Sequence, residues 1–161
     1  MSKVMLGIDP ANINSAYCTI DEETKRPIQF DKVPNERLRQ MLRRQEIKFD
    51  EVSIEDIQNM GLPAGRSLFD TAKEIGRQTE ILEGLGYEVE YVYRREEKIH
   101  ICGSMKANDA TIRRSLIDRF AEKDFLNGKG KKSDPDFFFN FRSDIWMAFC
   151  VALVAVERRE E

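Results

Sequence analysis

Val4-Met5-Leu6-Gly7-Ile8-Asp9-Pro10-Ala11 is an apolar run that ends in a lone aspartate and passes at once into turn-forming residues. A buried strand that delivers one carboxylate to its own C-terminal edge has this form. Pro10 has no N–H to give to a ladder, so the strand should stop or bend as Asp9 emerges. Taken alone, the stretch fits an aspartate that merely opens a turn slightly better. Two later stretches repeat the design and shift the balance. Ile54-Glu55 closes a second apolar run, and Asp144 heads a long apolar helix. Three acids at the ends of core elements can converge on one point.

The 161 residues suffice for a single domain with a real core. With 34% charged and 41% apolar residues, the mixture is that of a globular protein rather than a disordered or fibrous one. A formal charge of −3 does not advertise a polyanion partner, but residues 94–132 hold 11 Lys and Arg against 6 Asp and Glu. That fits a basic face beside an acidic centre, or simply a solvated surface. Cys18, Cys102 and Cys150 lie far apart among apolar neighbours, with no CxxC pair and with His100 as the single histidine. This leaves no structural zinc set and reads as reduced core thiols in a cytoplasmic protein. No signal-peptide pattern opens the chain, and the longest apolar run, 145–156, is too short for the roughly 20 residues that span a bilayer.

Strands are expected at 1–9, 15–20 and 26–33, an antiparallel meander whose third member turns Ile28, Phe30 and Val33 inward. A helix follows Pro34-Asn35 to about residue 47, with Leu38, Met41 and Leu42 on its buried face. A fourth strand, 49–55, leads to a loop holding Gly61, Pro63 and Gly65, and then to a helix over 66–85. Leu68, Ala72, Ile75, Thr79 and Leu82 give that helix an apolar face. Gly76 at its middle costs about 1 kcal/mol against alanine, which a close approach to a strand or to another subunit would justify. A fifth strand at 87–93 is followed by an irregular basic segment, 94–106, and by a helix to residue 120 capped by Asn108 or Asp109. Residues 121–140 read as a linker and 142–157 as a buried helix. The sum is an α/β layer on a mixed five-stranded sheet: three antiparallel strands, then alternating helix and strand.

Carboxylates without histidine or cysteine suit hard cations. Mg²⁺ takes a few carboxylates plus water and phosphate oxygens, and two such ions can activate a water and stabilise the leaving oxygen of a phosphodiester. Asp9 on the central strand would bridge the ions, Glu55 would hold one and Asp144 the other. Each has a plainer explanation. Asp144 can simply compensate a helix dipole, and Glu55 can be an exposed strand end with Asp56 as its competitor.

In Gly7-Ile8-Asp9-Pro10-Ala11 with Ser15-Ala16, in Ile54-Glu55, in the Gly76 helix and in Asp144 with Ile145 and Ala148, the chain resembles the RuvC-like Holliday junction resolvases. These belong to the ribonuclease H-like fold. The 66–86 and 98–113 segments are similar to the small resolvases carried by phages of Gram-positive bacteria. The resemblance covers nearly the whole chain in element order, though its motifs are short. It implies Mg²⁺-dependent (or Mn²⁺-dependent) nicking of branched DNA by a two-fold homodimer, with Asp9, Glu55 and Asp144 as catalytic metal ligands. Helix 66–85 is then the candidate interface. Arg94, Arg95, Lys98, Lys106, Arg113 and the Lys129, Lys131, Lys132 loop would meet phosphates, although the lysine loop fits a solvated linker equally well.

One departure stands out. The family places a fourth acid or a histidine three residues before the closing aspartate, and this chain has Phe141 there. Asn140, Asp136, Asp134 or Asp109 can substitute if the chain folds suitably; otherwise the protein binds branched DNA and cuts weakly or not at all. Phe137-Phe138-Phe139 fit a core anchor better than a wedge for opened junctions. A sugar-kinase or actin-like ATPase also opens with Gly-Ile-Asp, but it needs two such domains, and the 128–133 glycine-lysine run lacks phosphate-loop spacing.

Overall fold

The computed structural model describes residues 2–58 and 63–161. Strands β1 (Val4–Asp9), β2 (Asn14–Asp21), β3 (Pro27–Pro34), β4 (Glu51–Asp56) and β5 (Val89–Tyr93) form one sheet in the order β3-β2-β1-β4-β5. The first three are antiparallel neighbours, whereas β1, β4 and β5 run parallel. This is the ribonuclease H-like arrangement, with β1 at the centre.

Side-chain alternation sends the two faces of the sheet into two cores. Leu6, Ile8, Tyr17, Val52 and Ile54 pack with helices α1 (Asn35–Arg43) and α2 (Arg66–Gly84). Met5, Ala16, Cys18, Ile20 and Val92 pack with helix α5 (Ile145–Glu160) and with Ile112, Leu116 and Ile117 of helix α4 (Asp109–Phe120). Helix α5 is buried without interruption from Ile145 to Glu157, so it carries no exposed stripe. It lies directly on Gly7, where an added Cβ would stand 2.3 Å from the Ala148 carbonyl oxygen and 2.8 Å from Ala152 Cβ. Only glycine lets the helix come this close to the central strand.

Several local expectations change. The third strand lies at the sheet edge, and Ile28 is 56% exposed rather than inward. Helix α1 ends at Arg43, short of residue 47, where the chain leaves the helix through Gln45 at φ 54°. The buried face of α2 is Glu74, Ile75, Gln78 and Leu82, while Ala72 is exposed. Its polar members pair within the fold, although Gln78 Oε1 is buried without a partner. Gln78 donates to Glu74 (2.9 Å) and to Ser15 Oγ (3.1 Å), and Ser15 donates to Asn35 Oδ1 (2.6 Å). Gly76 is exposed with nothing within 4 Å of an added Cβ, so among the described residues no strand approaches it. The 94–106 segment is helical at its start: α3 (Arg94–Glu97) runs on into a π-helical turn, Lys98–Cys102. Asn108 caps α4 by accepting from the Thr111 N–H at 3.0 Å. Gly61 lies outside the described residues.

The 121–140 stretch is an ordered structure, not a linker. It contains a two-strand ribbon, β6 (Gly130–Lys131) with β7 (Asp134–Pro135). The Asp136 carboxylate accepts from the backbone N–H groups of Glu122, Lys123, Asp124 and Phe137 at 2.7 to 3.1 Å, and Phe137 and Phe138 are buried against α5. The aromatic run is an anchor. Among the described residues no helix is long and apolar enough to cross a membrane.

Candidate functional site

Register brings the first two acids together. Ile8 pairs with Ile54 in the parallel β1–β4 ladder, so the next residue of each strand, Asp9 and Glu55, leaves the sheet side by side. Both share the face of Gly7 and Ser53, which is the face α5 covers, whereas Asp56 falls on the other face and accepts from the Ile57 N–H. Glu55, not its neighbour, is therefore the strand-end acid. Helix α5 begins beside them, with Asp144 at its N-cap position.

A fourth acid completes the group from a direction the sequence reading missed. Glu55 pairs with Val92 and Asp56 with Tyr93, so the chain leaving β5 emerges at the same sheet edge. Its first helical turn, α3, turns Glu97 inward, where the residue is 0% exposed. The signal was present: a second parallel strand ends at this edge, and Glu97 follows within one turn. The charge of the surrounding Arg-Arg-Glu-Glu run hid it among solvated residues.

Asp9, Glu55 and Glu97 form a chain of contacts, with Asp9 and Glu55 in hydrogen-bonding reach of each other and Glu55 likewise of Glu97. Burial pushes the Asp9 carboxyl well above the usual carboxylate range, and the charge of Glu55 adds to it. Glu55 is likewise raised by burial and then by Glu97, and Glu97 is raised by burial. Such groups ask for a proton or a cation between them. The cation supplied by the chain is Arg94, with Nη1 3.4 Å from Glu97 and 4.0 Å from Glu55, and Nη2 paired with Asp109. Even so, Glu55 Oε1 and Glu97 Oε2 are buried and have no hydrogen-bond partner.

Asp144 stands apart from this chain. Its Oδ2 accepts from Lys32 Nζ at 2.7 Å, and its side chain is 43% exposed, although its charge still reaches Asp9. Among the described residues no three acidic, histidine or cysteine side chains close into a ready ligand cage. Arg94 and Lys32 hold the carboxylates in ion pairs instead. The donor set is nevertheless all carboxylate, with two orphaned oxygens, and so it fits a hard cation such as Mg²⁺.

The suggested substitutes for residue 141 lie elsewhere. Phe141 itself is 1% exposed, ringed by Phe30, Phe138, Trp146 and Phe149. Asp136 is occupied by backbone N–H groups, Asp134 pairs with Lys123, and Asn140 is exposed at φ 67°. Asp109 reaches the site only through Arg94.

The basic residues fall into four places. Arg95 and Lys98, with Ile57, Leu68 and Met105, line a groove that opens from Glu55 and Arg94. Arg113 lies over the Trp146 ring, 5.5 Å from its centroid, in a depression shared with Lys129. Lys131 and Lys132 are exposed on the β6–β7 ribbon, and Lys106 is exposed in the turn before α4.

No protein-family profile and no curated protein matches the sequence. Solved structures do match its fold. A T. thermophilus RuvC in complex with Holliday junction substrate superposes with a TM-score of 0.69 at 14% identity, covering 98% of this chain and 96% of that one. A second Thermus thermophilus RuvC structure gives 0.67 at 17% identity over the same shares. At this identity the likeness speaks for the fold.

Proposed function

We propose that the protein is a divalent-metal-dependent endonuclease acting on branched DNA, four-way junctions above all, by paired nicks from a symmetric dimer. The observation that carries this reading is the contact between Asp9 and Glu55 at the carboxyl ends of adjacent parallel strands, under a helix that begins with Asp144. Carboxylates pressed together in a buried position are costly unless a cation joins them. The similarity of the whole fold to a RuvC that has been seen with Holliday junction substrate supports the choice of substrate class.

In this reading Asp9, Glu55 and Asp144 hold Mg²⁺, or Mn²⁺ in its place. The metal, when bound, supplies an activated water and neutralises charge developing on the phosphodiester oxygens. The ladder between β1 and β4 sets the backbone of Asp9 and Glu55 side by side, so the two carboxylates are positioned before any metal arrives. The groove past Glu55 leads a phosphate backbone over Arg95 and Lys98, and the other lysines extend the track. Each cation adds salt dependence rather than sequence preference. The dimer would form through α2, whose Phe69 is 59% exposed and whose Gly76 leaves its surface open. Location in a cytoplasm agrees with a DNA substrate and with the three unpaired cysteines.

One observation favours a second reading. Asp144 paired with Lys32, and Phe141 sealed in the core, leave the last helix offering a single acid that is already held by a lysine. A protein of this build can bind branched DNA and not cut it. Cleavage of a labelled four-way junction beside linear duplex, in Mg²⁺ and in Mn²⁺, separates the two. Paired nicks that vanish in Asp9→Asn support the nuclease. Tight junction binding without nicks in either metal supports the binding module. Equal binding of branched and linear DNA without cleavage refutes both.

A further inference from the structure

Glu97 is the most deeply buried acid of the chain, and the donors around it satisfy only part of its carboxylate. A carboxylate with 0% exposure is normally satisfied by donors on both oxygens. Here one oxygen meets Arg94 at 3.4 Å, and Oε2 has no hydrogen-bond partner although it is buried. Its neighbours make matters worse: the Glu55 carboxyl is in contact and the Asp9 charge is close. The Cys150 thiol, from the second turn of α5, is a weak donor to it. A buried acid with one oxygen left without a donor, beside two other carboxylates, points to a ligand that is positively charged.

We propose that Glu97 supplies the carboxylate that the chain lacks at position 141, and that the metal centre is built from Asp9, Glu55 and Glu97 with Asp144 as its outer member. The inference rests on the metal-dependent reading above and deepens it. Topology makes the exchange possible. The closing helix is sealed by Phe141 and its aromatic neighbours, so a ligand must come from another element that ends at the same edge. The turn after β5 is that element, because β4 and β5 are parallel and in register to Asp56 and Tyr93. Arg94 now stands where a cation belongs. Its guanidinium also pairs with Asp109, which is 58% exposed and offers a second resting place at the rim.

The test is Mn²⁺ binding, followed by electron paramagnetic resonance and by calorimetry, on the parent, Asp9→Asn and Glu97→Gln, with melting in EDTA alongside. Glu97→Gln is expected to melt in EDTA no lower than the parent, because it removes a charge from a crowded site. Its Mn²⁺ affinity should fall roughly tenfold or more, or one ion should be lost. Should Glu97→Gln fail to fold, Glu97→Asp keeps the charge and shortens the reach, and it should show the same weakening. A Glu97→Gln that binds Mn²⁺ like the parent while Asp9→Asn has lost it overturns the role of Glu97 and leaves the nuclease reading intact. A parent that binds no Mn²⁺ overturns both.

Discussion

Replacing Gly7 by alanine adds one methyl group at the point where α5 crosses the central strand. The new Cβ would lie 2.3 Å from the Ala148 oxygen, 2.7 Å from the Ala152 nitrogen and 2.8 Å from Ala152 Cβ. Two of the three are backbone atoms, so no rotamer change relieves them. An ordinary contact begins near 3.4 Å, so the helix must retreat by about an ångström or the strand must bend. A gap of 0.5–1 Å already forfeits a quarter to a half of each dispersion contact, and α5 is buried along its whole apolar length. Overpacking costs about 1–3 kcal/mol; a backbone clash under a fully buried helix belongs at the upper end, about 3 kcal/mol. For a domain of this size that lowers Tm by roughly 6–12 °C. Thermal and urea unfolding followed by circular dichroism read it directly. Gly76→Ala is the internal contrast: nothing meets its Cβ, so it should gain about 0.5–1 kcal/mol. A Gly7→Ala protein that melts with the parent would refute the close packing on which the placement of Asp144 near Asp9 depends.

Asp136 carries a pH dependence. Burial works to raise its carboxyl, but the N–H groups of Asp124, Glu122, Lys123 and Phe137 outweigh it and hold the pKa at about 2 against an ordinary 3.8. A pKa depressed by folding stabilises above the unfolded value and is lost as the pH falls through the folded one. Up to about 2 kcal/mol should therefore disappear between about pH 4 and pH 2, and urea midpoints of Asp136→Asn should be lower at pH 7 and flatter through that window. Junction cleavage abolished in Asp136→Asn at unchanged stability would instead make Asp136 a ligand. Phe141→Asp, which puts a carboxylate three residues before Asp144, should cost about 3–5 kcal/mol by emptying an aromatic cluster and burying a charge, and it should not strengthen Mn²⁺ binding. Gly76→Ala should also weaken any dimer that closes on α2, measured by sedimentation equilibrium; an unchanged dimer would move the interface elsewhere.

Alternation and punctuation in the sequence determined the sheet and its two cores. Apolar runs closed by Asp9-Pro10 and by Glu55 put two acids at strand ends, where the carboxyl ends of neighbouring strands can bring them together. The unbroken apolar helix after Asp144 could only be a covered one. What the sequence could not carry was the meaning of polar residues. Glu74 and Gln78 lie off the apolar face expected of α2 and are buried, because Ser15 and Arg39 come from distant segments to pair with Gln78 and Glu74. Glu97 read as part of a solvated basic run, and Asp136 as a spare ligand in a linker. Their roles depend on which backbone N–H groups, carboxylates and strand ends lie nearby in space. Hydrophobic burial follows local periodicity and can be read along the chain, whereas the partner of a buried charge is fixed by contacts across it, and only the tertiary structure decides those.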